Sequence, residues 1–169
     1  DSNIAFQSND EVQFSIQKKY LKIATGSLSP PSSSSLDSDV VFLLESAETL
    51  KILFGFIYPR RHPSLLDVEF GVLQDVAEAA EKYKVYAAMN HCQMCMTQRV
   101  AEYGPEVAVY AAKHGYLSLL DSAAPHALKI SLGEMADLLP PHLLASWVSK
   151  HRPQPTTGTK AELTFICSP

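Results

Sequence analysis

Apolar and polar positions alternate twice near the start of the chain. Ile4 and Phe6 share one face of residues 3–8, and Val12, Phe14 and Ile16 share one face of residues 11–16. A period of two predicts a pair of short strands, and the polar Ser8-Asn9-Asp10 between them supplies turn chemistry for a hairpin. Residues 18–24 carry Tyr20, Leu21 and Ile23 among lysines and predict one or two helical turns, with Gly26 as a stop. Residues 29–38 are almost entirely serine and proline, a linker with nothing to build a core from. Residues 40–44 are an unbroken apolar run of strand length, which predicts a central strand covered on both faces.

Helical spacing takes over from there. Ser46 is placed to cap a helix in which Leu50, Leu53, Phe54 and Ile57 recur, with Ile52 and Phe56 off that stripe, so the helix is apolar nearly all round. Its predicted stop is Tyr58-Pro59, because the residue before proline is pushed out of the helical region. From residue 67 onward the pattern is helical throughout. Phe70, Leu73, Val76, Ala77, Ala80 and Tyr83 form one face, and residues 86–100 continue to a predicted break near Gly104-Pro105. Val107, Tyr110, Ala111 and His114 mark a further helix closed by Gly115, and Pro140-Pro141 opens a last one with Leu143, Leu144, Trp147 and Val148. Residues 154–159 read as a linker, and Leu163, Phe165 and Cys167 alternate in a possible edge strand over residues 161–167.

Composition narrows the function classes. With 169 residues, 46% of them hydrophobic, the chain is long enough to bury a core without metal or disulfide. A net charge of -4 argues against a nucleic-acid partner, and no apolar run approaches a membrane span. The first ten residues carry neither the positive flank nor the apolar core of a signal peptide. Three cysteines, two of them close together, do not make a secreted disulfide framework, so a reducing, intracellular setting, cytoplasmic or nuclear, is expected.

Phe14-Ser15-Ile16-Gln17-Lys18-Lys19-Tyr20-Leu21 resembles the second strand and first helix of the BTB/POZ family. The run over residues 40–44 resembles that family's third strand. Residues 48–61, ending Tyr58-Pro59-Arg60-Arg61, resemble its next helix and exit, and Ala80-Glu81-Lys82-Tyr83 its Ala-x-Lys-Tyr helix. The likeness covers residues 3–100 and is greatest with the basidiomycete fungal type, whose helical C-terminal extension residues 105–152 resemble. Departures are plain: Gln17 stands where the family commonly has His, Asn3 where it has Asp, and Thr25-Gly26-Ser27-Leu28 where Ser-Pro-x-Phe is common. The following helix is replaced by the serine-rich linker. The resemblance implies an α+β fold, a small mixed sheet flanked by helices. It also implies homo- or hetero-dimerisation through the first strand and helix, with Ile4, Phe6, Lys18, Tyr20, Leu21, Ile23 and Leu28 as contact residues. Some family members also bind the cullin scaffold of ubiquitin ligases as substrate adaptors. Leu43-Leu44-Glu45 matches their hydrophobic-x-acidic pattern, although three such residues recur often by chance.

Other constellations have plainer explanations. Met89, His91, Cys92, Met94, Cys95 and Met96 are soft ligands, and His91, Cys92 and Cys95 would be the core of a soft-metal or redox sensor. No second ligand pair accompanies them, and on a helix Cys92 and Cys95 serve equally well as small hydrophobes. Six histidines occur without a nucleophile elbow, a phosphate-cradling loop or a His-Glu-x-x-His helix, so neither catalysis nor a cofactor is expected. Lys18-Lys19 and Arg60-Arg61-His62 read first as solvated basic spots, Ser29-Pro30 and the serines after it as a passive linker open to phosphorylation, and Trp147 as core. The expected organisation is a BTB/POZ-like domain over residues 1–103, a helical extension over 104–152, and a linker with a possible edge strand over 153–169. Its expected work is holding another protein chain.

Overall fold

The computed structural model describes residues 3–28, 40–127, 131–139 and 141–151. The serine-rich linker and the alternating tail lie outside the described residues. The fold is α+β, and the chain divides into two compact units, residues 1–103 and 104–169.

The first unit begins with the hairpin, β1 (Asn3–Gln7) and β2 (Gln13–Gln17), paired antiparallel with Ile4 opposite Ile16 and Phe6 opposite Phe14. That register puts Ile4, Phe6 and Ile16 into the core. The turn is tightened by the Ser8 hydroxyl, which accepts from the Val12 amide at 3.0 Å, and Glu11 takes a left-handed φ of 65°. Helix α1 (Lys18–Ala24) follows β2 directly, at the predicted bounds. Strand β3 (Val41–Phe42) pairs parallel with β1, giving the order β2-β1-β3.

Here the expectation fails: the central strand is β1, and β3 is a two-residue edge. Both β3 side chains are exposed, and of the apolar run only Leu43 turns inward. The run's continuous hydrophobicity is not the mark of a strand covered on both faces.

Helix α2 (Ala47–Gly55) starts where Ser46 accepts from the Thr49 amide, and the Asp10 carboxylate accepts from the Ala47 amide at 2.8 Å. These contacts satisfy amides that a helix start leaves orphaned. Phe54 packs its ring against Phe6 and Phe14, with centroids 5.4 and 5.3 Å away, so α2 covers the hairpin. The helix ends before Tyr58-Pro59, because the Phe56 and Ile57 amides bond three residues back to Leu53 and Phe54 and tighten the last turn.

Helices α3 (Phe70–Tyr83) and α4 (Tyr86–Gln98) complete the unit, joined by Lys84 in the left-handed conformation. Every residue of the predicted α3 face is buried. The Arg99 guanidinium caps the arrangement by donating to the carbonyls of Leu65 and Leu66 at 3.3 and 2.6 Å. Phe70 stacks flat on Tyr103 at 3.9 Å.

Helix α5 (Val100–His114) is kinked beside Gly104-Pro105, where the sequence predicts a break. The backbone leaves helical geometry at Tyr103, so Pro105 falls in the first turn of a fresh helical segment, where its missing N–H costs nothing. In the second unit, Val107, Ala108, Tyr110 and Ala111 of α5 are buried, as are Leu119, Leu120, Ala123 and Ala124 of α6 (Leu117–Ala127). A capping box of Ser131 and Glu134 opens α7 (Leu132–Leu138), and Pro141 opens α8 (Pro141–His151), in which Trp147 is buried. Among the described residues, no helix is long and apolar enough to cross a membrane.

Candidate protein interface

Helix α1 carries four of the seven expected contact residues, Lys18, Tyr20, Leu21 and Ile23. At seven residues it is too short to persist alone, so its neighbours must hold it. Leu21 is fully buried and anchors one face. The buried Thr25 hydroxyl donates to the Leu21 carbonyl at 2.9 Å and closes the C-terminus. Beyond it, Thr25 bridges to Val85, and the Gly26 and Ser27 amides donate to the Lys84 and Tyr83 carbonyls at 3.2 and 3.3 Å. Lys22 in the last turn complements the negative end of the helix dipole.

The seven candidate residues separate into two groups. Ile4, Phe6, Leu21 and Leu28 are core residues of the chain itself and turn away from solvent. The alternation that picked out Ile4 and Phe6 is that of a strand's inner face, so burial accounts for the pattern. Lys18 and Tyr20 are half-buried, and Ile23 is 82% exposed. An isoleucine that open, two positions from a fully buried leucine, gives α1 an anchored inner face and an outer one on which Ile23 stands among the exposed Lys19 and Lys22.

Tyr86 extends this surface. It is exposed at the start of α4, and its hydroxyl lies 3.0 Å from where a side-chain carbon on Gly26 would stand. No signal in the sequence points to Tyr86, because a single exposed tyrosine at a helix start has no pattern of its own.

A second apolar surface lies on β3 and its exit, where Phe42 and Leu44 are 74% and 82% exposed. Glu45, the acidic member of the Leu43-Leu44-Glu45 pattern, is engaged within the chain. Lys82 Nζ donates to Oε1 and the Tyr83 hydroxyl to Oε2, both at 2.7 Å, and the Glu45 carbonyl accepts from the Asn9 amide. Burial works against the Glu45 carboxylate, but its bonds to Lys82 and Tyr83 outweigh that and hold its carboxyl below the usual range. Burial likewise pushes the Tyr83 hydroxyl up, to about 12. This network fastens the β3 exit to α3.

The soft-ligand cluster on α4 is divided between the two sides of the helix. Cys92, Cys95 and Met96 are buried on one face, while Met94 is exposed. His91 packs against Phe56 at 5.6 Å, with His62 on the same ring at 5.0 Å. Burial, reinforced by the neighbouring Cys95 and Glu81, pushes the Cys92 thiol up to about 12, and burial raises Cys95 as well. Both are free thiols, and burial disfavours the thiolate that attacks or ligates. Among the described residues, no group of three or more His, Cys, Asp or Glu is placed to hold a metal ion.

No protein-family model matches the chain, and comparison with curated proteins found no similar sequence.

Proposed function

We propose that this chain is a BTB/POZ-like protein-interaction domain that pairs with another chain, in the first instance a copy of itself, through the outer face of α1. Its work is binding, without chemistry. The observation that carries this reading is Ile23, open to solvent on a helix locked in place by Leu21 and Thr25. A rigid element with one exposed apolar side chain gives up little conformational entropy when a partner covers it. The order of hairpin, short helix, third strand and helical cluster supports the family likeness.

Covering Ile23 alone contributes about 1.5–3 kcal/mol, which is less than association costs. A stable contact buries roughly 800 Å² on each partner, so the surface must take in Tyr20 of α1 and extend beyond the helix to Tyr86. In a two-fold pair Ile23 of one copy meets the same region of the other.

Light scattering over a wide concentration range tests this. The wild type should reach twice its 18.6 kDa chain mass, and Ile23→Asp and Tyr20→Asp should return it to the single-chain value. A wild type that stays at the single-chain mass throughout would overturn self-pairing.

A further inference from the structure

Two basic spots far apart in the sequence form one surface in the first unit. The rings of Tyr20 and Tyr58 lie 5.1 Å apart, tilted by 58°. Lys19 Nζ sits 4.9 Å above the Tyr20 ring, and the Arg60 guanidinium carbon 5.3 Å above that of Tyr58. The result is a ladder of cation, ring, ring, cation, laid across α1 and the exit of α2. Lys18, Lys22 and Arg61 adjoin it in sequence. Residues 12–28 and 49–66, which build it, contain no Asp or Glu at all, in a chain whose net charge is -4. Among the described residues, Lys18, Lys22, Arg60 and Arg61 form no ion pair.

We propose that this ladder is the docking site for an acidic segment of a different protein chain, one that sets Asp or Glu side chains beside apolar ones. A guanidinium whose carbon lies over a ring can still direct N–H donors, in the fork geometry that fits a carboxylate, toward a partner. The tyrosine rings supply apolar contact at little entropic cost. The partner is a short acidic segment and not a polyanion, because a negatively charged chain repels an extended anion at long range, whereas a few carboxylates respond to the local cations. It belongs to a different protein because a two-fold contact centred on the ladder would set like charges against each other. The inference rests on the reading of α1 as the contact helix and adds the chemistry of what it meets.

Fluorescence anisotropy with a labelled peptide of alternating Glu and Leu tests it, at protein concentrations where light scattering reports a single chain. The peptide should bind, and its affinity should fall as salt shortens the Debye length. The double variant Lys19→Gln/Arg60→Gln should bind about tenfold more weakly, the loss expected from one or two charge-assisted hydrogen bonds. Lys113→Gln, on α5, should leave binding unchanged. Circular dichroism confirms that each variant is folded.

The proposal is overturned if the peptide does not bind or if its Gln-for-Glu copy binds equally. It is also overturned if Lys113→Gln weakens binding as much as the double variant. Tighter binding of a single-stranded oligonucleotide or of anionic vesicles through the same side chains would overturn it too. Peptide binding by a protein that never dimerises would sink self-pairing alone, and a dimer that ignores the peptide would sink the acidic partner alone.

Discussion

Leu21 and Ile23 are two positions apart on one short helix, yet they have opposite work. Leu21 is fully buried, so Leu21→Ala should cost about 2–5 kcal/mol by lost transfer energy and a residual cavity. Ile23→Ala should change stability by no more than about 0.5 kcal/mol, because the side chain is already in water. Chemical denaturation of the two variants at a concentration that keeps the chain single checks this contrast; equal losses would mean that Ile23 is covered within the chain. Glu45 gives a pH prediction at the same scale. Its folded carboxyl is held below the usual range, so its contribution is present above the unfolded value and is lost as pH falls through the folded one. Glu45→Gln should therefore be less stable than wild type near neutrality, with the gap closing in acid. Thermal melts across that range read the gap directly, and a constant gap would place the loss in packing and not in the carboxylate.

At the scale of elements, legibility followed how completely a pattern fixed one face. Residues 18–24 are bounded by an alternating strand on one side and Thr25-Gly26 on the other, and α1 occupies those residues. The α3 face was legible because six apolar positions at helical spacing leave a single way to bury them. The run at 40–44 misled because hydrophobicity alone cannot tell a strand covered on both faces from an edge with its side chains outside. The bounds of α6 and α7 went unread, since Pro125 and the alanines blur the stripe of α6, and α7 is announced mainly by its capping box. On α4, the Cys-x-x-Cys spacing fits a ligand pair and a buried stripe equally, and only burial separates them. Cys92 and Cys95, in a Cys167→Ser background, should react slowly with a thiol reagent in the native protein and fully after denaturation. Fast native reaction, or a metal released on unfolding, would restore the sensor reading.

At the scale of the molecule, the described fold joins a small sheet, with β1 at its centre, to a helical cluster, followed by a second helical unit. The basic spots were visible as sequence, but their union was not. Tyr20 and Tyr58 meet only because α2 packs over the hairpin that α1 follows, a tertiary fact with no local signature. Four of the seven expected contact residues were legible as apolar and belong to the core, and the outermost, Ile23, is distinguished from Leu21 by the orientation of the helix alone. The proposed pairing therefore turns on whether the outer face of α1 is where a second chain is met. Methyl spectra of isoleucine-labelled protein, recorded over a dilution series, test that most directly. The Ile23 methyl signal should shift steadily with concentration while those of the buried Ile4 and Ile16 stay fixed. Shifts confined to other methyls, or an Ile23 signal unmoved while the mass doubles, would contradict the account.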